Sequence, residues 1–210
     1  MIQDFTVSSF LEQLSSKSPT PGGGGAAGLG GAVGTALGEM VVNLTLGKKK
    51  YAEVEEEMQS ILQSLSQIRE EFMRLADEDA AVFAPLAEAY ALPSKTEEEK
   101  KKKTEILEDL LVLAAQVPLS VMELCLKALN HMEVLAGKGS RLAVSDVGVG
   151  VQMIRASLLG AKMNVLINTK TMVNREKARE LNARAQYVSE EGILWADQIY
   201  TQVEAALKTE

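Results

Sequence analysis

The stretch ILQSLSQIREEFMRLADEDAAVFAPL, residues 61–86, decides the fold. Its apolar positions are Ile61, Leu65, Ile68, Phe72, Leu75, then Asp79 in place of an aliphatic residue, then Val82 and Leu86. Steps alternating between four and three describe a helix seam packed on a neighbour. A carboxylate within such a seam costs several kcal/mol unless something partners it. A Lys, an Arg or a helix N-terminus would make Asp79 structural. Ionisable groups in interiors are also where acid–base chemistry is tuned, so the seam equally points to a site inside a helix bundle.

The rest of the chain agrees with a bundle. Of 210 residues, 46% are apolar but only 4% aromatic, a composition poor in strand formers. Val7, Phe10, Leu11 and Leu14 mark a short first helix capped by Asp4 or Thr6. A second helix opens at the glycines after Pro21 and runs to about Leu46; Ala26, Gly30, Gly34 and Gly38 give it a smooth face for close approach of another helix. A third covers about Glu53–Ala91 and ends before Pro93. Ser94–Glu97 and Thr96–Glu99 both fit a capping box for a fourth, which reaches about Leu135 with a bend expected at Pro118. Ser145-Asp146 is expected to cap a fifth helix to about Met172, and Asn174 a sixth to Lys208. No segment has a strand period. The expectation is an all-α, up-and-down bundle of about six helices in one domain, residues 1–210.

Several functions recede. A net charge of −7 disfavours a nucleic-acid or anionic-membrane surface. Glycine dilutes the apolar run after residue 22 below what a membrane span needs. One Cys and one His form no zinc constellation. Cys125 reads as a core thiol, and His131 as a surface or helix-end residue. MIQDFTVSS lacks the basic and apolar regions of a secretory signal, so a cytoplasmic location is expected. In the tract Glu97–Lys103, the i,i+4 pairs Glu97–Lys101, Glu98–Lys102 and Glu99–Lys103 suit a solvated face.

Three constellations can do chemistry. Ser18-Pro-Thr-Pro-Gly-Gly-Gly-Gly25 precedes a helix N-terminus, whose exposed N–H groups attract anions; it also suits a tight corner between helices. No Gly-Lys-Ser/Thr follows, so it is not a P-loop. Asn43-Leu-Thr-Leu-Gly-Lys-Lys-Lys-Tyr51 places lysines near a helix C-terminus, where they suit the dipole or rim a site for an anionic tail. Ser145-Asp-Val-Gly-Val-Gly150 is followed by Ser157, Ala161, Asn164 and Asn168 on one helical face. An inward face with two Asn residues needs partners, and an amide offers a ring both a donor and an acceptor.

Together these pieces resemble the cyclodeaminase/cyclohydrolase family of folate one-carbon metabolism, across most of the chain. The marks are SPTPGGGG (18–25), NLTLGKKKY (43–51), DAAVF (79–83), VPLS (117–120), SDVGVG (145–150) and NVLIN (164–168), in family order. The resemblance implies an all-helical homodimer or larger assembly acting on a tetrahydrofolate derivative, with no metal and no cofactor beyond that substrate. The implied reaction is cyclodeamination of 5-formimino-tetrahydrofolate to the 5,10-methenyl compound with release of ammonia. The alternative is hydrolysis of the methenyl compound to 10-formyl-tetrahydrofolate. The motifs do not choose between them, and a non-catalytic folate-binding or scaffold dimer is the rival from another class. On this reading Asp79 is the acid–base group or cation stabiliser, and Asp146 the second carboxylate. Asn164 and Asn168 orient the pterin. The turn of Gly22, Gly23, Gly24 and Gly25, with Lys48, Lys49 and Lys50, holds the glutamate tail, and Ser18, Thr20, Asn43 and Ser145 complete the substrate-binding set.

Overall fold

The computed structural model describes residues 1–208. Six α-helices follow one another: α1 (Val7–Leu14), α2 (Gly23–Asn43), α3 (Glu55–Tyr90), α4 (Glu97–Lys138), α5 (Val144–Lys170) and α6 (Arg175–Lys208). No strand occurs among the described residues. Short 3₁₀ turns at Ile2–Asp4, Lys49–Val54 and Arg141–Ala143 complete the chain path.

Local chemistry sets the helix ends. Thr6 Oγ1 accepts from Ser9 N–H at the start of α1. Thr96 and Glu99 form the reciprocal capping box of α4. Asn174 Oδ1 accepts from Lys177 N–H before α6. The expected cap at Ser145-Asp146 does not form: α5 starts at Val144, directly after a 3₁₀ turn, so both residues lie within its first turn. There Asp146 faces the positive end of the helix dipole. The expected i,i+4 pairs of the charged tract are also absent. Lys100 pairs with Glu97 at 2.6 Å, and Lys103 Nζ donates to the Tyr90 and Leu92 carbonyls at 2.7 and 2.9 Å. Lys103 is thus spent on the orphan carbonyls at the end of α3.

The seam of α3 is buried at Ile61, Leu65, Ile68, Phe72, Leu75 and Leu86. At Asp79 and Val82 it is only half-buried, because the core gives way there to a cleft. One apolar core takes residues from every helix from α2 to α6. A smaller cluster, Ile2, Phe10 and Ala76, seats α1 against α3.

Helix α2 is central and packs most extensively on α5 and α3. Its glycines face both. A side-chain carbon at Gly34 would stand 2.6 Å from the Gly150 carbonyl of α5, and one at Gly31 would enter the Phe72 ring of α3. Gly23 meets Asn164 near one end of the pair and Gly34 meets Gly150 nearer the other, so α2 and α5 run antiparallel. Helix α2, and windows within Glu97–Lys138 and Arg141–Lys170, are long and apolar enough to cross a membrane by composition, with mean hydropathy 1.3 to 1.7. Half or more of those windows is buried inside the bundle, where the apolar residues pack on one another.

Candidate active site

The loop ending at Gly22 delivers the chain into α2 beside Asp79. No side chain is tolerated at Gly24, since a Cβ there would overlap the Asp79 carboxylate. With glycine present, the Asp79 carboxylate lies against the first turn of α2, where the Gly25 N–H favours its charged form. The partner of the seam carboxylate is therefore a helix N-terminus. No ion pair among the described residues involves Asp79. Burial pushes its pKa above the ordinary carboxylate value, and the Gly25 hydrogen bond opposes that shift without cancelling it.

Around Asp79 lies a cleft of about 260 Å³. The loop supplies Pro19, Thr20 and Gly22 to Gly24; α3 supplies Asp79, Val82 and Phe83; α4 supplies Ala114 and Val117; α5 supplies Asn164, Ile167 and Asn168. A lining that combines apolar side chains with one carboxylate and two amides suits a flat heteroaromatic ring. The orientation of the two amides is fixed by their partners. Asn164 Nδ2 donates to the Gly160 carbonyl at 2.9 Å. Asn168 Nδ2 donates to the carbonyls of Ala114 at 2.8 Å and Asn164 at 2.9 Å. A carbonyl can only accept, so both N–H donors of Asn168 and one of Asn164 are committed to backbone, and each Oδ1 is left as an acceptor. With Asp79, the cleft offers acceptors and a carboxylate, and no Lys, Arg or His lines it.

A larger hollow of about 700 Å³ lies between α3, α4 and α6, with Glu71, Lys127, His131 and Trp195 on its walls. Its chemistry is weaker. Arg74 grips Glu71 at 2.7 Å and holds its carboxyl below the usual value. His131 is neither a helix-end residue nor fully on the surface. It is half-buried, and burial lowers its pKa, favouring the neutral ring. Cys125 is buried as expected, its thiol pushed up to about 12 by burial and therefore inert. Among the described residues no three His, Cys, Asp or Glu side chains gather as a metal site.

The cleft thus unites Thr20, Gly22, Gly23, Gly24, Asp79, Asn164 and Asn168. It does not include the others within one chain. Ser18 is exposed and outside the cleft. Asn43 is exposed at the far end of α2, Lys48, Lys49 and Lys50 are exposed just past it, and Ser145 and Asp146 lie at the far end of α5. From Asp146 to Asn164 is 18 helical positions, or about 27 Å. That far end has its own order: Ser140 N–H donates to Thr45 Oγ1 at 2.8 Å, and Arg141 N–H to Tyr51 Oη at 3.0 Å. Gly47, at φ +71°, lies three residues past the α2 C-cap Leu44 and donates to the Glu55 carboxylate at 3.1 Å. Sequence reasoning missed Phe83, Val117 and Ile167 as cleft walls and had Val82 only as a seam residue; the walls come from three helices, α3, α4 and α5, so no single period marks them.

An all-helical bundle with a carboxylate and oriented amides in a cleft at one end defines a small-molecule enzyme fold. The chain belongs to the formiminotransferase-cyclodeaminase family, whose sequence pattern matches residues 6–187. It is 39% identical over 175 residues to the methenyltetrahydrofolate cyclohydrolase of Methylorubrum extorquens, covering 83% of this chain and 84% of that protein. It is 31% identical over 179 residues to the formimidoyltransferase-cyclodeaminase of Rattus norvegicus, covering 84% of this chain but 33% of that protein. The chain thus spans about a third of the length of the bifunctional relatives. The crystal structure of a formiminotetrahydrofolate cyclodeaminase from Thermotoga maritima superposes with a TM-score of 0.83 at 28% identity, covering 99% of this chain and 98% of that one. The all-α bundle read from the seam is the family's fold, and its members carry names of folate one-carbon enzymes.

Proposed function

We propose that the chain hydrolyses 5,10-methenyl-tetrahydrofolate to 10-formyl-tetrahydrofolate, with Asp79 as the acid–base group. The observation that carries this is the Asp79 carboxylate at the α2 N-terminus, facing a ring-sized cleft with Asn164 and Asn168. Water adds to the cationic methenyl carbon; Asp79 takes one of its protons as the hydroxylated tetrahedral adduct forms and returns it to N5 as the C–N5 bond breaks, while the adduct's hydroxyl loses its remaining proton to solvent and becomes the formyl carbonyl on N10. An anion beside the methenyl carbon also stabilises the cation that precedes attack. The stand-alone relative of matching length is named a cyclohydrolase, which puts this reaction ahead of the cyclodeamination that the motifs equally allow. Cyclodeamination is the second reading, favoured by the Thermotoga maritima neighbour that matches along the full chain. There N10 attacks the formimino carbon and a protonated Asp79 delivers the proton to departing ammonia. No metal or further cofactor enters either scheme. Purified protein mixed with each folate decides: loss of the methenyl chromophore supports hydrolysis, its appearance with ammonia supports deamination. Folate binding without turnover would leave a carrier.

The proposal includes a cytoplasmic homodimer. Val33, Met40 and Leu44 of α2, and Val149, Met163 and Ile167 of α5, are 38% to 59% exposed on the two adjacent helices. An apolar strip of this kind suits self-association. A two-fold axis perpendicular to α2 and α5 would set each helix antiparallel to its copy and carry one copy's Lys48–Lys50 and Asp146 toward the other's cleft. This supports keeping those residues as tail-binding and second-carboxylate candidates. A mass in solution of one 22.7 kDa chain would remove the argument. Replacing Lys48, Lys49 and Lys50 by Gln should raise KM for a polyglutamylated folate more than for the monoglutamate, and more so at low salt. Equal effects on both substrates would reduce the lysines to charges near the α2 C-terminus.

A further inference from the structure

Helix α4 contains a proline, Pro118, fully inside its span. A proline has no N–H, so the carbonyl four residues earlier, that of Ala114, loses its helical donor. Ala114 and Pro118 are both buried, where an unpaired carbonyl is costly. The missing donor is supplied across the interface by Asn168 Nδ2, 2.8 Å from the Ala114 oxygen. Helix α3 offers the contrast. Its own internal proline, Pro85, removes the donor to Ala81, but Ala81 is exposed to water and no side chain donates there.

We propose that Pro118 is a positioning residue for the cleft: by freeing the Ala114 carbonyl it locks the Asn168 amide with Oδ1 as a hydrogen-bond acceptor, so that this wall reads the N–H donor edge of a ring. The proposal rests on the folate reading for the identity of that ring, whose pterin edge carries such donors. The lock itself depends only on the amide geometry. The second Nδ2 hydrogen goes to the Asn164 carbonyl at 2.9 Å, so both donors of Asn168 are spent on backbone. Rotation of the amide by half a turn would set Oδ1 against two carbonyl oxygens, an arrangement without a single hydrogen bond. A bundle helix with an ordinary residue at position 118 would satisfy Ala114 internally and leave Asn168 held only by the Asn164 carbonyl.

The test is Pro118→Ala. The new N–H competes with Asn168 for the Ala114 carbonyl, while a helix-breaking residue is removed. The expected outcome is a melting temperature unchanged or raised, with kcat/KM for the preferred folate lowered about three- to tenfold, the scale of one neutral hydrogen bond. Asn168→Ala should show a similar loss, and the double variant no more than Asn168→Ala alone. Independent losses that multiply in the double variant would overturn the proposal. A measurement without substrate separates the lock from the folate reading. In protein labelled with ¹⁵N-asparagine, the Asn168 side-chain N–H signals should exchange slowly with water, and at least one should become fast in Pro118→Ala. Fast exchange already in the unmodified protein would overturn the lock, whether or not Pro118→Ala folds. A slow-exchanging amide in a protein inert toward folates would uphold the lock and sink the folate reading instead.

Discussion

Asp79→Asn is expected to keep the fold and most of the folate affinity while lowering kcat by about 10²-fold or more, the scale of a positioned acid–base group. Asn retains an oxygen to accept the Gly25 N–H, so the corner between α2 and α3 survives. It cannot carry a proton. Asp79→Leu should also fold. It loses one hydrogen bond, worth about 0.5–1.5 kcal/mol, and relieves the desolvation of a carboxylate. Activity retained in Asn with Leu unfolded would assign Asp79 to helix capping alone, and the catalytic role would pass to Asp146. Two pH signatures accompany this. Asp79 titrates above the ordinary carboxylate value when folded, so the folded state binds its proton more tightly than the unfolded chain. Its ionisation therefore weakens the fold as pH rises from the unfolded value, about 3.9, through the raised one. Asp79→Asn should accordingly gain stability relative to the parent above that window and lose the advantage below it. In the rate profile, a base role predicts an acid limb displaced upward from the ordinary carboxylate range. Loss of activity on the alkaline side of the same group would point to the acid role required for ammonia departure.

Much of the fold was legible because its causes are local. The seam steps from Ile61 to Leu86, the capping box Thr96–Glu99 and the Asn174 cap each depend on residues a few positions apart. The helix-end choice at Ser145-Asp146 failed for the same kind of reason. A 3₁₀ turn, Arg141–Ala143, runs directly into α5 and removes the need for a side-chain cap. The site was legible only in halves. Gly24 and Asp79 are 55 positions apart, and nothing in either segment says that the missing Cβ of one accommodates the carboxylate of the other. Conversely, Asp146 and Asn164 share a helix and invite grouping, although a straight helix keeps them at opposite ends of the bundle. Pro118 could be read as a bend. That the carbonyl it frees is taken by Asn168 depends on which helix packs beside it.

Gly34→Leu is expected to have the largest effect on stability. A Cβ at this position would lie 2.6 Å from the Gly150 carbonyl oxygen and 2.7 Å from Ile154 Cγ1. The first contact is backbone inside a helix, which cannot turn aside as a side chain can, so α2 and α5 must move apart. Their separation also loosens the contact between Gly23 and Asn164 at the cleft end of the same pair. Overpacking of this kind costs about 1–3 kcal/mol where neighbours yield. With a rigid neighbour and a whole Leu to place, a loss of about 3 kcal/mol or more is expected. In a chain of 210 residues that lowers the melting temperature by about 6–12 °C, at about 2–4 °C per kcal/mol. Gly137→Ala in the last turn of α4 is the matched control. Only Gln202 Nε2, at 3.7 Å, approaches a Cβ there. It should be neutral or stabilising by up to about 1 kcal/mol, from helix propensity alone. Equal melting temperatures for Gly34→Leu and the parent would mean that α2 and α5 do not pack backbone to backbone, and the geometry that brings Asn164 to Gly23 would fall with that contact.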